Sequence, residues 1–129
     1  MLKLLVLVAS LLINHNAIAD WVQIAESAAT TFYVDPSTVR RNGNMAKMWE
    51  LIDLREAELV LGKAYLSIRS QQEYDCSDER VRTITSTSFS GHMADGKTIF
   101  YDPTEGPFRP VEPGRAVNRV LWKYACGKP

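Results

Sequence analysis

The chain has 129 residues, of which 46% are hydrophobic, and its 15 basic and 15 acidic side chains give a formal net charge of zero. A balanced charge excludes a nucleic-acid or anionic-membrane surface that works through net positive charge. The apolar fraction excludes an intrinsically disordered chain.

The first element is an export signal. Met1-Leu2-Lys3 is a short cationic start, Leu4 to Ile13 is an apolar run, and Ala17-Ile18-Ala19 supplies the small-x-small site for cleavage before Asp20. The run is shorter than the roughly 20 apolar residues needed to cross a bilayer, so no transmembrane anchor is expected after cleavage. No cysteine follows it, so lipid attachment at the mature N-terminus is not expected either. Residues 1–19 are read as the leader and 20–129 as a single domain, periplasmic or secreted. A domain of that length buries roughly 60–68% of the surface its unfolded chain exposes.

Trp21 to Ala25 and Thr30 to Val34 have the composition of strands. Asp35-Pro36-Ser37-Thr38 reads as a turn or a single helical turn, with Asp35 as the cap and Pro36 at the first helical position. Asn42-Gly43 marks a tight reversal. Met45 to Leu54 is apolar on both faces and is the best candidate for a central strand. Arg55 to Gly62 reads as a long connection, since Arg55-Glu56-Ala57-Glu58-Leu59 favours helix but is too short to hold one unaided.

Tyr65 to Tyr74 alternates apolar and polar residues, as a half-buried strand does. Asp75 to Glu79 is a polar turn, and Val81 to Phe89 completes a hairpin with the preceding strand. Asp95-Gly96 turns the chain into a strand at Thr98 to Tyr101. Pro103 to Pro113, with four prolines, is expected to be irregular. Val117, Val120, Leu121 and Tyr124 then form the apolar stripe of a helix starting near Pro113 and stopping at Gly127. The expected fold is α+β: an antiparallel sheet of five to six strands with a C-terminal helix packed on one face.

Cys76 and Cys126 lie on either side of that packing. In an oxidising compartment two lone cysteines usually pair, and closing a loop of about 50 residues stabilises a fold by about 4 kcal/mol. Intermolecular pairing and a redox-active couple are the alternatives. Redox couples favour a Cys-x-x-Cys spacing and a helix N-terminus, whereas Cys126 closes a helix.

No residue set stands out for catalysis. His92, the one histidine of the mature chain, lacks companions for a zinc site or a triad and reads as a solvated turn residue. Asp75, Asp78 and Glu79 offer carboxylates for a hydrolase, but solvated turn charge is the simpler reading. Trp49 and Trp122 suit core packing better than ligand stacking. Arg69, Gln71 and Glu73, with Arg82, Ser86 and Ser88 on the neighbouring strand, form a polar sheet face suited to protein contact. No enzyme, metal or cofactor is expected.

Tyr33-Val34-Asp35-Pro36-Ser37-Thr38-Val39-Arg40, Lys47-Met48-Trp49-Glu50-Leu51, Ser70-Gln71-Gln72-Glu73-Tyr74-Asp75-Cys76, Phe89-Ser90-Gly91 and Leu121-Trp122-Lys123-Tyr124-Ala125-Cys126 occur in that order. With them the chain resembles the surface-adhesin protein E-like family of Gram-negative bacteria over nearly all of residues 21–128. The resemblance implies an antiparallel sheet with a packed helix, one disulfide and no catalytic residues. It also implies protein partners, since the adhesin that names the family binds host matrix and plasma proteins.

The leading expectation is therefore an exported protein-binding module whose partner is a host matrix protein or an envelope component. A soluble periplasmic carrier of a small ligand, or an envelope-stress protein, with a cavity between sheet and helix is the alternative. An exposed edge strand would also allow a homodimer.

Overall fold

Alternating β-prone runs and turn residues give a chain that pairs mostly with its sequence neighbours, and the computed structural model shows the outcome for residues 19–111 and 116–129. Strands β1 (Val22–Glu26), β2 (Thr30–Val34), β3 (Arg40–Asn42), β4 (Met45–Val60), β5 (Lys63–Asp75), β6 (Arg80–Phe89), β7 (Thr98–Asp102) and β8 (Arg109–Pro110) precede helix α1 (Ala116–Cys126). They make one antiparallel sheet in the order β1-β2-β4-β5-β6-β7, with β3 also on β4 and β8 also on β6. Apart from Ala19, the expected leader lies outside the described residues, as does the expected helix start near Pro113.

The sheet has eight strands rather than five or six because two short ones escape sequence patterning. β3 is three exposed residues that continue alongside β4 after the turn at Pro36–Thr38. β8 falls inside the proline-rich stretch read as irregular, where Arg109 and Pro110 pair with Val81 and Arg80 at the outer side of β6. Proline is tolerated at such an edge, where its missing N–H removes no interior bond.

The segment read as a long connection is a strand. β4 continues to Val60, a two-residue turn at Leu61 and Gly62 follows, and β5 starts at Lys63. Register runs regularly from Met45↔Asp75 to Asp53↔Ser67, breaks, and resumes with Glu58↔Tyr65, Leu59↔Ala64 and Val60↔Lys63. Pairing of Glu58 to Val60 with β5, together with the Arg55 N–H bond to the Ala29 carbonyl at 3.0 Å, overrides the helical preference of Arg55 to Leu59, a propensity worth only tenths of a kcal/mol per residue.

β4 is central, with β2 and β3 on one side and β5 on the other. Val34, Ala46, Met48 and Tyr74 share its even-numbered face and, with Cys76, Val81 and Val111, pack against Leu121, Trp122, Ala125 and Cys126 of α1. Burying each large apolar side chain there stabilises the fold by about 1.5–3 kcal/mol. The buried stripe of the helix differs from the expected one. Leu121 is inside, but Val120 and Tyr124 are 41% and 39% exposed, and Trp122, Ala125 and Cys126 take the core. Two tethers set that rotation. Cys126 is bonded to Cys76, and the Trp122 Nε1–H donates to the Asp75 carbonyl oxygen at 2.9 Å.

The helix ends as its sequence requires. Gly127 takes φ 64°, the Lys128 N–H donates to the Lys123 carbonyl at 2.8 Å, and Arg41 Nη1 donates to the Cys126 carbonyl at 3.0 Å. Among the described residues no helix is long and apolar enough to cross a membrane.

Candidate binding face

Cross-strand partners point to the same side of a sheet, so the registers separate a helix-covered face from an open one. Trp49 opposes Gln71, Leu51 opposes Arg69 and Lys47 opposes Glu73. On β6 the partners of Glu73, Gln71 and Arg69 are Arg82, Thr85 and Thr87. The open face thus brings together Arg69, Gln71, Glu73 and Arg82, as the alternation of the sequence implies.

Ser86 and Ser88 are not part of it. Between Gln72↔Thr83 and Gln71↔Thr85 the strand β6 carries one extra residue, Ile84, and this bulge inverts the alternation beyond it. Ser86 therefore opposes Ser70 and Ser88 opposes Ile68, on the helix-covered side. Thr85, Thr87 and Phe89 take their places. Strict period-two reading had no signal for this shift, which moves every later side chain to the other face.

The open face changes character along its length. At one end it is a ladder of ion pairs: Arg82 Nη2 lies 2.7 Å from Glu73 and Arg80 Nη2 lies 2.7 Å from Asp75. Both guanidinium groups also sit over the Phe108 ring, at 5.0 Å for Arg80 and 4.8 Å for Arg82. Glu73 is buried by this arrangement instead of being solvated. At the other end Arg69 lies 5.7 Å from the Trp49 ring centroid and 5.1 Å from that of Phe89. Level with the Glu73–Arg82 pair, the cations Arg40 and Lys47 line up across β3 and β4. Among the described residues, Arg40, Lys47 and Arg69 have no ion-pair partner.

A cleft of about 360 Å3 opens beside Arg69, lined by Ala19, Trp21, Asp35, Ser37, Thr38 and Trp49. The sequence positions its floor. Asp35 caps the turn at Pro36–Thr38, accepting from the Ser37 N–H at 3.1 Å and the Ser37 hydroxyl at 2.6 Å. Thr38 Oγ1 donates to the Asp35 carbonyl at 2.6 Å and accepts from the Trp49 N–H at 3.0 Å, which ties the turn to β4. Trp49 is therefore a half-buried residue of the open face and not of the core, whereas Trp122 is fully in the core.

The remaining sequence candidates are accounted for individually. His92 is half exposed in the turn His92–Ala94, and its Nδ1 lies 3.2 Å from Asp53. Asp75 is not a solvated turn charge. It is 3% exposed and accepts from the Ser77 and Asp78 N–H groups and from Arg80. The Arg80 hydrogen bond, more than the turn N–H groups, holds its carboxyl below the usual carboxylate range. Asp78 is exposed near Arg80 and Glu79 pairs with Arg119 at 3.3 Å. All three carboxylates serve the turn and its neighbours. No cluster of three or more metal-ligating side chains occurs among the described residues.

Between sheet and helix lies a cavity of about 90 Å3, lined among others by Glu50, Ser70, Gln72, Tyr74, Arg109 and Asn118. Sequence reading did not single out Glu50. Its signal is a carboxylate at an even position of β4 flanked by the apolar Ala46, Met48, Ile52 and Leu54.

Set beside solved structures, this architecture is similar to that of Haemophilus influenzae protein E. Crystal form II of that protein superposes with a TM-score of 0.67 over 87% of this chain and 91% of the other, at 8% identity. A second structure of it gives 0.60 over 85% and 87%, at 9% identity. Protein E from non-typeable Haemophilus influenzae gives 0.57 over 82% and 75%, at 8% identity. Identities this low show a shared fold alone. No curated protein sequence matches the chain. The sequence profile of surface-adhesin protein E matches residues 21–127, from just before β1 to just after α1, and the chain therefore belongs to that family.

Proposed function

We propose that the protein is an exported, non-enzymatic module that binds another protein, a host matrix component or an envelope component, through the open face of its sheet. The single observation that supports this most is the set of cations without ion-pair partners among the described residues, Arg40, Lys47 and Arg69, together with the half-buried Trp49 on a face the helix leaves uncovered, where buried Phe89 underlies Arg69. Arginine and aromatic residues dominate the energetics of protein contacts. Gln71, Glu73 and Arg82 extend the face, and Ser86 and Ser88 do not belong to it. Membership of a surface-adhesin family supports an envelope or surface location, with the leader removed before Asp20.

The alternative of a small-ligand carrier loses support from the size of its cavity. About 90 Å3 between sheet and helix is well below the ~300 Å3 at which ordinary ligand pockets begin. Self-association has a specific candidate in β7, the last strand of the sheet, where Phe100 and Tyr101 are 39% and 55% exposed. Pairing of two such edges would give a homodimer.

The test is capture of partners from plasma, matrix and periplasmic protein mixtures by the oxidised mature protein, followed by affinity measurement. Saturable micromolar binding that is lost in the K47E/R69E variant and kept in K123E supports the reading. Absence of any saturable partner, or binding indifferent to K47E/R69E, refutes it.

A further inference from the structure

The polar groups of the cleft beside Trp21 and Trp49 are not equivalent. The side chain of Asp35 is occupied by Ser37 and by the Asp20 backbone N–H at 3.3 Å, and the Thr38 hydroxyl both donates and accepts. Arg69 is different. Two aromatic rings fix the position of its charge, and no hydrogen-bond acceptor among the described residues takes any of its N–H groups. Cation–π contact leaves the guanidinium donors available, and their planar fork matches a carboxylate bidentately.

We propose that this cleft recognises a carboxylate carried next to an apolar side chain in a peptide segment of a protein partner. Arg69 takes the carboxylate, and the Trp21 and Trp49 indoles take the apolar side chain. A volume of about 360 Å3 accommodates one aromatic or aliphatic side chain with its neighbouring acid. The open sheet surface that continues from the cleft through Gln71 leaves room for the rest of an extended segment. Ala19 is one of the lining residues, and cleavage before Asp20 would remove it. The proposal rests on the protein-binding reading of the open face and adds to it a ligand chemistry and a residue that reads it.

The experiment is an NMR titration of the mature, oxidised protein, following the indole N–H signals of Trp21 and Trp49 and the Nε–H of Arg69. The probes are acetyl-Phe-Glu-amide, its neutral isostere acetyl-Phe-Gln-amide, and phenylacetate. Saturable shifts at all three groups are expected with the Glu peptide. Affinity should be at least tenfold weaker for the Gln peptide, at least tenfold weaker in R69Q, and partly recovered in R69K. Equal affinity for the two peptides, or an unchanged R69Q, overturns the proposal. Tight binding of phenylacetate with no binding of the Glu peptide assigns the cleft to free carboxylic acids and also overturns it. A captured protein partner that R69Q still binds refutes this site while leaving the broader face intact. Peptide binding without any captured partner supports the site and counts against the broader reading.

Discussion

Tyr74 donates its hydroxyl to the carboxyl group of Glu50 on the helix-covered face of the sheet, where both side chains are buried. Burial raises the Glu50 pKa to about 8, against the opposing effects of the Tyr74 hydrogen bond and the Arg109 charge. Burial, with the neighbouring Glu50 carboxyl, pushes the Tyr74 phenol up as well. The folded protein therefore holds a proton on Glu50 that the unfolded chain releases near the ordinary glutamate value of 4.5.

Stability should accordingly fall as pH rises from about 4.5 to about 8, by at most about 1.4 kcal/mol per pH unit, and level off above. Asp75 acts in the opposite sense and lower down: its pKa is depressed below 3.8, so its contribution is lost only as pH falls through that lower value. Urea denaturation between pH 5 and 9 is the measurement. Glu50→Gln should flatten the profile, and a slope that survives the substitution would contradict the assignment to Glu50.

The Cys76–Cys126 bond closes a separation of 50 residues and holds the end of α1 to the corner between β5 and β6. Reduction, or the C76S/C126S pair, should lower stability by about 4 kcal/mol on the chain-entropy argument. Trp122→Phe should cost about 1–3 kcal/mol by leaving the buried Asp75 carbonyl without its 2.9 Å partner. Denaturation with and without reductant, followed by near-ultraviolet dichroism of the tryptophans, reads both effects.

Cleavage before Asp20 would turn its backbone N–H into an ammonium 3.3 Å from the buried Asp35 carboxyl. The mature protein should then be about 1–2 kcal/mol more stable than the same chain acetylated at Asp20, since charge-assisted hydrogen bonds exceed neutral ones. Asp35→Asn should erase the difference between the two forms. Thermal melts of the four proteins make the cycle.

Leu61 occupies φ 50° in the turn between β4 and β5, beside Gly62 at φ 76°, and it is 83% exposed. A branched side chain is costly in left-handed backbone, where asparagine is at ease. Leu61→Asn should raise stability by about 0.5–1 kcal/mol with no change in the position of the turn. A lower melting temperature would show that Leu61 has a packing role the turn geometry does not require.

Much of the local structure was legible in residue chemistry. Asp35 and Pro36 start their single helical turn, Gly127 stops the helix, and Met45 to Leu54 forms the centre of the sheet because it is apolar on both sides. These features depend on a few neighbouring residues, so the sequence carries them whole.

Other features rest on balances that a linear pattern does not contain. Alternation along β6 predicts that Arg82, Ser86 and Ser88 point together, yet one bulged residue at Ile84 sends the serines to the other side. The stripe Val117, Val120, Leu121 and Tyr124 fits a helix, but the disulfide and the Trp122 hydrogen bond turn α1 until Trp122 and Ala125 are inside. Arg55 to Leu59 has helical composition, and strand pairing on either side of it, at Asp53 and from Glu58 to Val60, overrides it.

By itself the sequence determined the class of fold, the cysteine pair, the Asp35–Thr38 turn, the helix stop and the family, because propensity, capping and ordered short motifs act over short stretches of chain. Only the tertiary structure decided which side chains share a surface. Trp21, the Asp35–Thr38 turn, Trp49 and Arg69 come from four separate segments, and they meet only because the pairing of β4 with β5 and the bond from Trp49 to Thr38 set which residues face the same side.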